Sequence, residues 1–355
     1  MSGGIAQLVA VGAQDAHLVG EPEVSFFRST YKRHTNFAQT VERQVIQGNP
    51  SASGMSTVRF ERKGDLLGYC YLAPNNGTNA LTYTPAEWDD LVTKVEILIG
   101  GQVIDEQSSL FSLFIAPNTL SQSVSKSTTG FGAPTKSKFY PLRFAFCENW
   151  QSAIPLVALQ YHDVELRITW GAQAVANSEK WECYAHYVHL DTEERQVLAN
   201  TPQNMVITQT QKAIASNSKI QELNFNHPVK FLAVSKAGGA DIDIAAAANK
   251  LKLQINGTDD ADSKYDDPPF TALTSYYHTA TTKDDGAGDG DNKNFFLYPF
   301  CLDTSKHQPT GSLNFSRLDS ARLVNSTANS ADDVYAVNYN ILRIENGMGG
   351  LMYSN

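Results

Sequence analysis

Eight histidines, four cysteines and a few dense charge clusters are the residues in this 355-residue chain with the means to do chemistry. Their spacing assembles none of the usual devices. His186 and His189 lie three apart in a stretch with strand-like alternation, which sends them to opposite faces, and no His-x-His pair offers two ligands to one metal. Tyr161-His162-Asp163 sets an imidazole beside a carboxylate, as a proton relay would. Sequence neighbours at the head of a strand diverge, however, and no Gly-x-Ser-x-Gly elbow supplies a nucleophile. Asp284 to Asp291 has the composition of a calcium loop, but no register yields acids at positions 1, 3 and 5, glycine at 6 and glutamate at 12. Cys70, Cys147, Cys183 and Cys301 contain no Cys-x-x-Cys pair and read as free thiols in a reducing compartment. The chain is expected to be neither an enzyme nor a holder of any cofactor.

Two features point to binding instead. Arg28, Tyr31, Lys32 and Arg33, followed by His34, put cations beside an aromatic ring, a pattern suited to a protein partner or an anionic surface. So small a footprint in a chain of net charge −9 argues against direct genome binding. Asn76, Asn256, Asn314 and Asn325 each begin an Asn-x-Ser/Thr sequon. In a chain rich in Asn, Ser and Thr that has no secretion signal these read as chance, with Asn76 and Asn256 kept as candidate glycosylation positions.

The elements that must position these groups are mostly strands. Val164, Leu166, Ile168 and Trp170 alternate with Glu165, Arg167 and Thr169, the period-2 pattern of a half-buried strand. Lys94 to Ile99, Cys183 to Leu190, Leu251 to Asn256 and Tyr335 to Asn340 are read the same way. Pro74 to Thr78, Gly100-Gly101 and Asn256-Gly257 separate them as tight turns. Two segments read as helical. Ile5, Leu8, Val9 and Gly12 have i, i+3, i+4, i+7 spacing, giving a short amphipathic arm that ends before Pro22. Asp191 with Glu194 resembles a capping box at the start of a second short helix.

A length of 355 residues exceeds what one core supports, so two domains are expected. The boundaries read as an arm over 1–24, one domain over 25–200, a polar turn-rich linker over 201–218 and a second domain over 219–355. Charged residues make up only 18% of the chain against a typical ~25%, which suits a surface that is buried against other copies. Seven basic side chains face two acids between Arg28 and Lys63, whereas nine aspartates face two lysines between Asp259 and Asp291. The acidic segment is expected to form exterior loops. No basic stretch followed by an apolar run opens the chain, no ~20-residue apolar span occurs, and Ser2 stands where N-myristoylation needs glycine, so a soluble, cytoplasmic product without a lipid anchor at that end is expected.

His307 to Arg317 (HQPTGSLNFSR) and Tyr335 to Gly350 (YAVNYNILRIENGMGG) carry no site chemistry, yet in wording and order they resemble the C-terminal signature of the double jelly-roll major capsid proteins of nucleocytoplasmic large DNA viruses. Gly3 to Ala38 is similar to that family's N-terminal arm. Lys94 to Asp105 (KVEILIGGQVID), Phe139 to Trp170, Cys183 to Ala199 and Phe225 to Leu232 (FNHPVKFL) match its internal landmarks in order. Val11, Ala16, His17 and Glu21 depart from the arm, and Glu106 to Lys138 is short beside familiar members.

The resemblance implies an all-β chain of two consecutive eight-stranded jelly rolls behind a short helical arm. It also implies a virion structural protein whose homotrimers, pseudo-hexameric in outline, tile an icosahedral shell. Its partners would be further copies, minor capsid proteins and an internal membrane surface, met through Arg28, Tyr31, Lys32 and Arg33. The alternatives are a minor capsid paralogue and a lectin-like carbohydrate-binding jelly roll, which would need a clustered aromatic and Asp/Asn surface. A jelly-roll enzyme ranks third for want of a metal motif.

Overall fold

The computed structural model describes residues 3–120, 136–174, 180–236, 242–243, 249–262, 269–280, 294–327 and 329–353. The chain divides into two units, residues 1–36 and 37–355, so the arm extends twelve residues past its expected end. In the first unit, helices Gly3–Val9 and Ala16–Val19 bury no side chain. Ile5, Leu8 and Val9 fall on the first helix, while Gly12 lies beyond it, its N–H donating to Asp15 Oδ2 at 2.7 Å.

Among its described residues the second unit contains twenty strands. Those of the first half are β1 (Phe37–Gln44), β2 (Ile46–Gln47), β3 (Met55–Arg59), β4 (Leu66–Asn75), β5 (Val92–Ile99), β6 (Gln102–Ser108), β7 (Tyr140–Pro141), β8 (Ile154–Pro155), β9 (Val164–Trp170) and β10 (Lys180–Leu190). Those of the second half are β11 (Gln203–Ala213), β12 (Ile220–Glu222), β13 (Pro228–Ser235), β14 (Leu251–Ile255), β15 (Thr258–Asp262), β16 (Phe295–Pro299), β17 (Leu313–Asn314), β18 (Ala321–Asn325), β19 (Val334–Glu345) and β20 (Met348–Leu351). They form four antiparallel sheets. The first pair is ordered β1-β10-β4-β7, with β8 also on β4, and β2-β3-β9-β5-β6. The second is ordered β11-β19-β13-β16, with β17 and β20 added, and β12-β18-β14-β15. Each pair is a jelly roll with the same eight-strand plan.

The alternation read from β9 is realised: Val164, Leu166, Ile168 and Trp170 are buried, and Leu166 sits between Val58 of β3 and Ile97 of β5. The core of the first roll gathers Trp88, Trp170, Trp181 and Tyr140, with ring centroids 4.6–6.1 Å apart. Two of the three indole N–H groups have an acceptor, while that of Trp88 has none among the described residues. Trp170 finds Ser56 Oγ at 2.8 Å and Trp181 finds the Ala174 carbonyl at 2.9 Å. Three two-residue hairpins fix strand register: Gly100-Gly101, Asn256-Gly257 and Asn346-Gly347 all have positive φ at both positions, the type I′ geometry that matches the strand twist.

Several expectations need correction. Residues 201–218 are not a turn-rich linker: Gln203–Ala213 is an eleven-residue strand paired with β19 along its whole length, its Thr and Gln side chains half-buried. The second roll therefore begins at residue 203. Tyr335 to Asn340 is buried on both faces rather than one, as is Val95 to Ile99. Asp191 caps helix Thr192–Asn200 by accepting from the Thr192 N–H, so the capping box with Glu194 does not form. A complete box does form at Thr84 and Glu87, ahead of helix Pro85–Leu91. Asp259 to Asp262 belongs to β15, and Pro269–His278 is helical, so the acidic segment is not loop throughout. Asp284 to Asp291 lies outside the described residues.

The C-terminal hairpin β19–β20 returns to the first roll. The Tyr161 N–H donates to the Gly347 carbonyl at 2.9 Å, the His162 ring bonds the Gly349 carbonyl at 2.9 Å, and the Leu351 N–H donates to Gln102 Oε1. A Cβ on Gly349 would come within 2.7 Å of the Leu159 side chain, so any larger residue there would have to displace that buried leucine.

Replacing Leu166 by aspartate puts an unpaired carboxylate between two β-sheet neighbours, at a cost of several kcal/mol against a total stability of about 5–15. Leu166→Asp is expected to abolish soluble protein; a wild-type melting temperature for that variant would contradict the packing.

Candidate assembly surfaces

Among the described residues no three His, Cys, Asp or Glu side chains gather to hold a metal. The His–Asp neighbours do structural work: His162 holds the C-terminal hairpin, and Asp163 pairs with both Arg59 and Arg62. Those two arginines line an open groove of about 400 Å3 with Val45, Gln47 and Glu61, but they already share that one carboxylate. His186 donates to or accepts from Gln39 at 2.9 Å and stacks on Tyr69, and burial holds its pKa below the ordinary histidine value. The four cysteines are free thiols, and burial pushes Cys183 up to about 12.

The basic run divides in two. Arg43, Arg59, Arg62 and Lys63 pair with Glu182, Asp163, Glu42 and Glu61 on the body. Arg28, Tyr31, Lys32 and Arg33 belong to the first unit, where all four are exposed and the three cations make no ion pair with any described residue. Phe26 and Phe27 beside them are also almost wholly exposed. Of the four sequons, Asn76, Asn256 and Asn314 are exposed. Asn325 is buried between Asn249 and Ser330, which leaves no room for a glycan.

The joint between the rolls explains the doubly buried strands. Between β6 and β7 the chain runs through a wide-turn helix, Phe111–Ile115, continued by Ala116–Thr119. Phe111, Ile115 and Ala116 pack on Phe231 and Ala233 of β13, Phe295 and Leu297 of β16, and Tyr335 and Val337 of β19. The other face of the same strands, including Leu232, Val234, Val334 and Ala336, fills the core of the second roll. Polar contacts fix the seam: Asp105 accepts from the Thr210 N–H at 2.8 Å and from Gln107 Nε2 at 2.9 Å, and Ser108 Oγ bonds Tyr335 Oη at 2.8 Å. Burial raises the Asp105 carboxyl to about 7.

The corresponding outer face of the first roll, on β1-β10-β4-β7, carries aromatic rings. Tyr69 stacks on His186 at 4.5 Å and Tyr71 on Tyr184 at 5.2 Å, while Phe139 meets Tyr71 edge-on. Tyr69, Phe139 and Val41 are each more than 40% exposed. Nothing in the alternation of β4 marked this face, because Tyr at a half-exposed strand position satisfies β propensity without a partner. Stacking covers one face of each of these four rings.

Comparison with known proteins matches the chain to two family descriptions that overlap between residues 194 and 224. A family described as the major capsid protein N-terminus matches residues 25–224, and one described as the large eukaryotic DNA virus major capsid protein matches 194–350. The chain belongs to this capsid protein family. It is 34% identical to the major capsid protein of Pyramimonas orientalis virus and 30% identical to that of Paramecium bursaria Chlorella virus 1, over the full length of all three chains. A quasi-atomic structure of the PBCV-1 virus capsid superposes with a TM-score of 0.75 at 27% identity, covering 93% of this chain and all of that one. The Faustovirus major capsid protein, at 11% identity and a TM-score of 0.67, shares the fold. This capsid chain is thus a structural virion protein of double jelly-roll fold, not an enzyme, and its functional surfaces are those by which it assembles with itself.

One buried cation near the joint of this capsid chain has a measurable signature. Lys230 on β13 is 2% exposed; its Nζ donates to the Lys306 carbonyl at 3.0 Å and lies 5.7 Å from the centre of the Tyr339 ring. Burial lowers its pKa from 10.5 to about 8. Between those values the unfolded chain binds more protons than the folded one, so stability rises with pH through that window. Melting curves from pH 7 to 10.5 should show the wild type gaining on Lys230→Met as the pH climbs; a constant difference would mean that Lys230 titrates normally.

Proposed function

We propose that three copies of this chain close into a capsomer of six-fold-like outline, and that these capsomers tile an icosahedral shell. What carries the reading is the matched strand order of the two rolls: a chain holding two like-shaped bodies presents six of them in a three-copy ring. The body, with its doubly buried strands and large outer faces, has the apolar area for such contacts. The arm does not, since its helices span seven and four residues and bury no side chain.

Residues 1–36 serve a different partner. Exposed Phe26, Phe27 and Tyr31 supply apolar contact and Arg28, Lys32 and Arg33 unpaired charge, a combination suited to a minor capsid protein or an anionic membrane beneath the capsomer. On lipid, each cation would contribute about 1 kcal/mol. Asn76 and Asn256, exposed at turns, are the candidate attachment points for sugars, which intact-mass measurement on virion protein would reveal. Assembly takes place in the host cytoplasm, and the genome is not a direct partner.

Deleting residues 2–20 should leave a trimer of near-normal melting temperature that no longer assembles into shells. Light-scattering mass and electron microscopy of the truncated protein test this. A monomeric product would place the arm between subunits and sink the division of labour.

A further inference from the structure

Among the described residues two basic side chains, Arg143 and Lys230, are buried in the body, and the chain treats them differently. Arg143 donates to Glu148 Oε1 at 2.9 Å, so its charge is matched. Lys230 has no carboxylate within ion-pair distance among the described residues. Its Nζ has the Lys306 carbonyl and the Tyr339 ring, which leaves an ammonium with three N–H groups only partly satisfied. A charge buried in this way calls for a partner of opposite sign.

The ionisable groups around Lys230 do not supply that partner. Burial keeps Cys301 and Tyr339 protonated, the thiol above its ordinary value and the phenol pushed up to about 12. Asp303 attracts Lys230 from a distance, but its Oδ1 accepts from the Ser305 N–H at 2.8 Å and its Oδ2 lies 4.0 Å from Lys306 Nζ. The His307 ring bonds Ser152 Oγ at 3.1 Å, and burial together with the Lys230 charge holds it below the ordinary histidine value, hence neutral at pH 7. With Arg143 matched to Glu148 and Lys306 to Asp303, Lys230 is the surplus charge. Beside it lies a cavity of about 40 Å3, lined by Ala145, Glu148 and Asn149 from the first roll and by Lys230, Thr304 and His307 from the second. One water needs about 10–15 Å3, so the space takes a few waters or one small ion. The Asn149 Oδ1 is occupied by the Gln151 N–H at 3.0 Å, which leaves its amide N–H2 without a partner among the described residues.

We propose that this cavity binds a small monovalent inorganic anion of the halide class, chloride in ordinary media, held by the Lys230 ammonium where the two rolls meet. The ion supplies the counter-charge that the chain withholds. Because the lining comes from both rolls, the bound ion is also a strut across their joint that no strand pairing provides. His307, the first residue of the string HQPTGSLNFSR, thereby acquires a place: it crosses the seam to Ser152 and closes one side of the cavity. Binding is tied to the lysine proton. In the empty cavity Lys230 titrates at about 8, so the anion binds at pH 7 and is released as the pH rises beyond that value. The bound ion in turn holds the proton on, which narrows the gap to the unfolded chain and flattens the gain in stability between pH 8 and 10.5.

The test compares the full-length protein in sodium chloride and in sodium gluconate at equal ionic strength, gluconate being too large for the cavity. At pH 7 the wild type should melt higher in chloride, by about 2 °C for each tenfold excess over the dissociation constant. That advantage should fade as the pH is raised from 7 through 8 and beyond, and Lys230→Met should melt at one temperature in both salts. Wild-type crystals soaked in sodium bromide should show an anomalous peak within hydrogen-bonding distance of Lys230 Nζ. Should Lys230→Met fail to fold, the bromide peak and the pH dependence of the wild type decide the matter. Equal melting of the wild type in the two salts, or ordered water with no anomalous signal in the cavity, would overturn the proposal. A bromide peak without chloride-dependent melting means an adventitious ion only and overturns it too, as does a chloride advantage that survives in Lys230→Met.

Discussion

The outer face of the β11-β19-β13-β16 sheet cannot meet water. Phe231, Phe295, Leu297, Tyr335 and Val337 form a continuous apolar surface on strands whose opposite side already fills a core, and the helix from Phe111 to Ile115 is what covers it. At roughly 25 cal/mol per Å2 of apolar area removed from water, a joint of several aromatic and aliphatic side chains outweighs any ion pair on this molecule. The remaining features follow from it. β19 is buried on both faces from Val334 to Asn340, the two rolls behave as one body, and the polar seam at Asp105 and Thr210 holds strands that the apolar contact has already brought together.

The same constraint shows why some of the fold could be read from the sequence and some could not. Val164 to Trp170 is half-buried, so its alternation names both its secondary structure and its inner face. Tyr335 to Asn340 was recognised as strand, but its second burial depends on a helix more than 200 residues away in sequence. Gln203 to Ala213 was misread for the converse reason: its Gln and Thr side chains are half-buried beside β19, where polarity is tolerated, and a polar strand resembles a loop to any pattern based on hydrophobicity. Thr84-Pro85-Ala86-Glu87 did carry a local signal for a helix start and was overlooked.

The candidate surfaces divide along similar lines. Arg28, Tyr31, Lys32 and Arg33 stood out by charge, and the structure leaves all four exposed and the three cations without a described ion-pair partner, while the arginines and lysine further along the same basic run are neutralised on the body. Charge counting could not separate the two groups, because Glu182 and Asp163 arrive from distant strands. The aromatic face was invisible for a related reason. Its members come from β1, β4, β10 and the approach to β7, and only the antiparallel register brings Tyr71 opposite Tyr184.

The return of the β19–β20 hairpin to the first roll bears on how the chain is made. Ribosomes deliver the first roll well before the last residues, and it can condense as they emerge. Its contacts at Tyr161, His162 and Gln102 nevertheless wait for Gly347, Gly349 and Leu351, with His162 and Gly349 187 residues apart and Gln102 and Leu351 249 apart. Until β13, β16 and β19 have emerged the joint helix has no face to cover, and until β20 has emerged the first roll stays unlatched. A chain that stops before Gly347 would lack these contacts and leave the first roll unlatched.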